Sequence, residues 1–258
     1  MQIRQLTSEG LLSALGICLP VPEVISLVGG GGKTSAMYEL ARELAGMGKR
    51  VIITTTTHIK RPEGYQVVIT DRAEMLRSAV WEGNVLVTGR EAPNGKLKGL
   101  PDEEIPRLSR FCDVLLIEAD GAKCLPLKVP AAHEPVILKE TQMVIACVGM
   151  DCIGRPLKEV CFRCELACAM LEKEPEDEVT PEDVAKILCS PEGGRKQVGS
   201  IPYRILLNKA EEGERREAAF RVAACLSEQT EGIAAVTAFR GSELTLALRI
   251  GPWKGRMV

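Results

Sequence analysis

Apolar residues come along this chain in short runs, separated by stretches with helical spacing or turn chemistry. The run Val24 to Val28 predicts a strand that enters four consecutive glycines, Gly29 to Gly32. Beyond them Met37, Leu40, Leu44 and Met47 recur at spacings of three and four, which predicts a helix from Lys33 to Met47 stopped by Gly48. The β-branched run Arg50–Thr57 predicts a second strand, Gln66–Thr70 a third at a sheet edge, and Asn84–Thr88 a fourth, with a short helix over Arg72–Val80. Glu91–Gly99 is a turn-rich loop whose Asn94-Gly95 pair favours a tight hairpin. Pro101–Phe111 reads as a helix and Asp113–Ala119 as the clearest interior strand, ended by Asp120-Gly121 and a proline-rich loop from Lys123 to Pro135. Gln142–Val148, Tyr203–Leu207, Ile233–Phe239 and Leu244–Ile250 read as strands; Glu165–Glu172, Pro181–Leu188 and Glu212–Ser227 read as helices.

Strands alternating with helices predict an α/β fold, a mainly parallel sheet flanked by helices on both faces. The length, 258 residues, suits one large domain or two small ones. Nothing marks a second domain, so one domain over 1–258 is expected, with a helical insertion at about 151–200.

Composition narrows the function classes. Hydrophobic residues at 45% and charged residues at 26% exclude a disordered, collagenous or fibrous chain. Thirty-three basic and 35 acidic side chains leave a net charge of -2, so no overall basic field would hold a nucleic-acid backbone. The longest apolar runs, such as Val144–Val148, are far too short for a membrane span, and the amino-terminal segment lacks a long apolar signal region. Ten cysteines in a chain this long read as small core residues rather than a disulfide framework. A cytoplasmic protein with neither nucleic acid nor membrane as partner is the expectation.

The sharpest chemical signal is VGGGGKTS, Val28 to Ser35. A strand, glycines and a helix start would place the groups of Gly29, Gly30, Gly31, Gly32, Lys33, Thr34 and Ser35 around phosphate oxygens. Lys33 would reach the β- and γ-phosphates, and Thr34 would hold Mg²⁺. Leu27 stands where the full P-loop pattern has its first glycine. A dinucleotide-binding turn is the competing reading, but Lys33-Thr34 breaks its glycine pattern, and Thr54–Thr57 occupies the region of its acidic residue. Other strand ends should face the same ligand. Glu118 and Asp120, two apart, are candidates for the metal and for orienting an attacking water. Thr54, Thr55, Thr56, Thr57 and His58 could contact substrate or metal, or simply follow strand propensity. His58 and His133 are the only histidines, a weak basis for a metal site. Asn208-Lys209, with Glu211 two further on, sits where guanine-specific P-loop proteins read the base. Cys161, Cys164 and Cys168 would share one face if helical, which suits packing better than a metal or redox site.

Set beside TTTTHIKRP, LIEADGAKCLPLKVPAAHEPVI and the late NKAE, the glycine loop resembles the YqeC family, grouped with accessory proteins of selenium-dependent hydroxylases. The resemblance runs from about residue 24 to 210. Gly29–Thr34 match its phosphate loop, Thr54–Thr57 its threonine run followed by His58, and Glu118, Asp120 and Gly121 its acidic turn. Lys128, Pro130, His133, Glu134 and Pro135 match a KxPxxHEP segment. Arg163 matches an arginine that follows a histidine in related chains, where this chain has Phe162, and Glu211 replaces the acid of NKxD. The resemblance implies a P-loop NTPase fold and hydrolysis of GTP or ATP with Mg²⁺. It further implies maturation of a molybdenum hydroxylase that carries selenium, with a client protein as partner and a homodimer as one way to complete the site. A non-hydrolysing nucleotide or phosphorylated-cofactor carrier and a small-molecule kinase are the alternatives.

Overall fold

In the interior strand Val114–Glu118, Val114 and Leu116 face one side of a sheet while Leu115 and Ile117 face the other, all fully buried. That two-sided burial is what a central parallel strand requires. The computed structural model describes residues 5–7, 10–211, 213–229, 232–241 and 243–253. In chain order these form β1 (Gln5–Thr7), α1 (Leu11–Ala14), β2 (Val24–Gly29), α2 (Lys33–Gly46), β3 (Val51–Thr55), β4 (His58–Lys60) and β5 (Gln66–Ile69). Then come β6 (Val85–Ala92), β7 (Lys96–Lys98), β8 (Val114–Glu118), β9 (Leu127–Lys128), β10 (Met143–Gly149), α3 (Leu157–Val160) and β11 (Cys161–Phe162). The rest are α4 (Cys164–Leu171), α5 (Pro181–Cys189), β12 (Tyr203–Asn208), α6 (Glu214–Gln229), β13 (Gly232–Arg240) and β14 (Glu243–Trp253).

Twelve strands make one sheet in the order β1-β14-β13-β12-β10-β2-β8-β3-β6-β7-β4, with β5 also on β6. From β13 to β5 every pairing is parallel, and antiparallel strands close both ends. One face is covered by α1 and α2. The other is covered by α4, α5 and α6 over one half and by two 3-10 segments over the other half. The fold is therefore α/β with a mostly parallel central sheet. Residues 151–200 contribute α3, α4 and α5, whose apolar side chains pack into the same cluster as β10, β12 and α6.

Several elements differ from the sequence expectations for identifiable reasons. The threonine strand stops at Thr55, because the Thr55 hydroxyl accepts from the Thr57 N–H at 2.9 Å and turns the chain there. The helices expected at 72–80 and 101–111 are 3-10 segments, Ala73–Ser78 and Pro106–Phe111, each seating a buried leucine, Leu76 or Leu108. β6 runs on to Ala92 and forms a hairpin with β7 through the Asn94-Gly95 turn, so much of the expected 91–99 loop is strand. Cys161 lies on β11, and Arg163, at φ 65°, separates it from α4, so the three cysteines do not share a helix face. α6 begins at Glu214, and the expected start at Glu212 lies outside the described residues.

Candidate functional site

β2 lies between β8 and β10; the chain runs from β2 to β3 on the β8 side but from β10 to β12 on the other side, and such a reversal is the place where open α/β sheets take ligands. The connection from β2 to α2 is only Gly30–Gly32. It is tight enough that all three positions call for glycine; a Cβ on Gly30 would lie 2.6 Å from the Leu125 carbonyl oxygen. Gly31 has φ +69°, and a Cβ there would enter the Val148–Gly149 backbone; Gly32 has φ +121° and abuts the Asn208 amide. The Gly30 N–H donates to Cys147 O at 2.9 Å, and the Gly31 N–H to Leu125 O at 3.1 Å. These two amides brace the loop, so the amides facing a ligand are those that open α2.

Lys33 is buried at the base of the loop. It donates to Gly29 O and pairs with Asp120 Oδ1 at 3.1 Å. Burial pulls its pKa down, but Asp120 and then Glu118 outweigh this and hold it above the ordinary lysine value. The two acids divide their work. Both oxygens of Asp120 accept from the Gly29 N–H at 3.1 Å, and Oδ2 also meets Lys128 at 3.0 Å. Glu118 instead lines an open cleft of 740 Å³ and accepts from the Thr34 hydroxyl at 3.0 Å. Burial raises the Glu118 pKa, with Lys33 and Thr34 opposing. A hydroxyl and a carboxylate meeting at a helix start are hard oxygen donors, which suits Mg²⁺; Asp120 is turned away toward Lys128.

Lys128 is fully enclosed and ties Asp120 to Glu134 at 2.9 Å, and Arg163 meets Glu134 at 2.8 Å. Burial alone would raise the Glu134 pKa, but Lys128 and Arg163 outweigh it and hold the carboxyl below its ordinary 4.5. His133 beside it is exposed and lies apart from His58, which lines the cleft. Among the described residues no group of three or more His, Cys, Asp and Glu could hold a metal. Cys164 and Cys168 lie 3.7 Å apart, packed against the core.

Of the threonines, Thr54 donates to Thr88 O at 3.0 Å and Thr55 to Glu118 O at 2.9 Å, so both are structural. Thr57 reaches the cleft, while the Thr56 hydroxyl is buried with no hydrogen-bond partner. Asn208 is buried, its amide donating to Gly31 O at 2.8 Å and accepting from Thr237 at 3.1 Å. Lys209, at φ +60°, lines the cleft and pairs with Asp151 at 2.6 Å. Glu211 does not line the cleft; it pairs with Arg215 at 3.3 Å on the outside of α6. Asp151 is the residue that sequence reasoning missed. Its signal is a carboxylate two positions beyond an apolar strand, the same signal that identifies Asp120.

The family model described as YqeC protein matches residues 25–165, a span that holds the glycine loop, the acidic turn, Lys128, Glu134 and Arg163. The Uncharacterized protein YqeC of Escherichia coli (strain K12) is 37% identical over 183 residues, 69% of this chain and 72% of that protein.

Proposed function

This chain belongs to the YqeC family, and from that premise we propose that it binds a nucleoside triphosphate with Mg²⁺ in the glycine loop and hydrolyses it. The observation that carries this reading is the pairing of Lys33 with Asp120 and of Thr34 with Glu118 across the β2–α2 connection. Triphosphate oxygens would take Lys33 in exchange for part of its contact with Asp120, and the free amides at the start of α2 would stabilise charge on the phosphoryl group. Thr34 and Glu118 would hold Mg²⁺, which when bound neutralises phosphate charge. Glu118, the acid that faces the cleft, is placed to orient a water, whereas Asp120 positions Lys33 and the Gly29 amide. Base contacts would come from Lys209 and its partner Asp151, a carboxylate that can accept from the paired N–H donors of guanine but finds no such pair on adenine, so GTP is the preferred nucleotide.

Calorimetric titration with GTP and ATP, with and without Mg²⁺, tests the reading. Lys33→Ala should weaken triphosphate binding at least tenfold, about 1.4 kcal/mol, with the protein still folded. Equal affinity in that variant would overturn it. The family resemblance extends the proposal to an accessory role in maturing a selenium-dependent molybdenum hydroxylase. Cells lacking the protein should lose that enzyme activity and regain it with the wild-type chain but not with Lys33→Ala.

A further inference from the structure

The cleft has a second wall that the nucleotide reading leaves unused. β4, β7 and β6 form a small antiparallel sheet at the edge of the molecule, with His58 opposite Lys98, Lys60 opposite Lys96, and Lys98 in turn opposite Arg90. Residues opposite one another in such a ladder project to the same side, and residues two apart share that side. One face therefore carries Arg90, Lys98 and His58 in one row and Lys96 and Lys60 in the next. The other face carries Ile59 and Leu97, both buried in the core, which pins the register, and Glu91 lies on that side too. A one-residue slip would put the two apolar side chains in water.

The cationic face has no carboxylate of its own. Among the described residues, no ion pair involves Lys60, Lys96 or Lys98, and Arg90 bonds only to Gly99 O at 2.7 Å. Like charges placed directly opposite destabilise a ladder. Lysines do protect an exposed sheet edge from pairing with other chains, but that needs charge, not two lysines facing each other. His58, Lys60 and Lys96 line the same 740 Å³ cleft as the glycine loop, in which Glu118 is the one lining carboxylate, itself taken by Thr34.

We propose that this face binds the anionic group of a second ligand, a small molecule bearing phosphate or carboxylate, held across the cleft from the glycine loop. An anion between Lys60 and Lys96 removes their mutual repulsion, and the 740 Å³ of the cleft that these lysines share with the glycine loop gives room for a small molecule rather than an extended polyanion. The word second rests on the nucleotide reading; the anion site itself does not. Phosphate could also arrive as the tail of the nucleotide, and the experiment separates the two sources.

Inorganic phosphate is titrated into the full chain saturated with a non-hydrolysable triphosphate and Mg²⁺, for the wild type and for the Lys60→Gln/Lys96→Gln double variant. The expected result is one phosphate bound to the wild type, at least tenfold weaker binding in the variant, and triphosphate affinity changed less than twofold. No phosphate on the saturated wild type, together with a tenfold loss of triphosphate affinity in the variant, would assign the face to the nucleotide tail and overturn the proposal. Equal phosphate binding by both proteins would also overturn it. If no triphosphate binds at all, the nucleotide reading fails by itself, and phosphate is titrated into the free protein. Loss in the double variant but not in Lys33→Ala then supports the anion site, and the reverse pattern overturns it.

Discussion

Asn208 sits at a strand end where the sequence suggests a base contact, yet its amide holds Gly31 on one side and Thr237 on the other. Removing it would leave a buried carbonyl and a buried hydroxyl without partners. Asn208→Ala is therefore expected to cost about 1–3 kcal/mol of stability, read as a lower melting temperature. Glu211, paired with Arg215 outside the cleft, should behave differently. In competition binding, Glu211→Ala should leave the ratio of GTP to ATP affinity unchanged within about threefold; collapse of a GTP preference would return Glu211 to the base site. Lys33, Thr34 and Glu118 were legible because each follows locally from a strand end or helix start. The fates of Asn208 and Glu211 were not, since they depend on Thr237 and on the course of α6, remote in sequence or set by the fold.

Two elements connect the loop to the rest of the protein through charge. The segment after β9 carries Glu134 to Lys128, which reaches Asp120, and to Arg163 at the start of α4. Because the folded-state pKa of Glu134 lies below 4.5, its contribution to stability is complete above that value and is lost as pH falls through the lowered one. Glu134→Gln should thus melt earlier near neutral pH, by about 1–3 kcal/mol, since Lys128 keeps Asp120. The difference from wild type should shrink as the pH drops below 4.5; a constant difference would mean the link is packing, not charge. The arm of β4 and β7 offers the opposite sign. Without ligand, Lys96→Gln relieves the repulsion from Lys60 and should raise the melting temperature slightly, by about 0.2–1 kcal/mol of stability. Both arm strands escaped the sequence reading because three residues are too short a window for a period of two. The Asn94-Gly95 turn that joins β6 to β7 was the part that could be read.

At the scale of the whole molecule, a chain of net charge -2 presents a cleft with one lining carboxylate and several cations. Net charge excluded a broad nucleic-acid surface but said nothing of this local field, because summing over the chain discards position. The field predicts that phosphate-bearing ligands bind less tightly as ionic strength rises, with the slope reduced in the Lys60→Gln/Lys96→Gln protein. An equal slope in both proteins would remove the arm from the field. By itself the sequence determined the α/β class, the run of β2 into the glycines and α2, and the acidic end of β8, since local periodicity and glycine chemistry dictate each. Only the tertiary structure decided the rest: that Gly30 and Gly31 brace the loop, that Asp120 faces Lys128 while Glu118 faces the cleft, that Asp151 partners Lys209, and that the lysines of β4 and β7 share one face. Each of these depends on which strands become neighbours, and strand order is set by long-range packing that no local window of the chain contains.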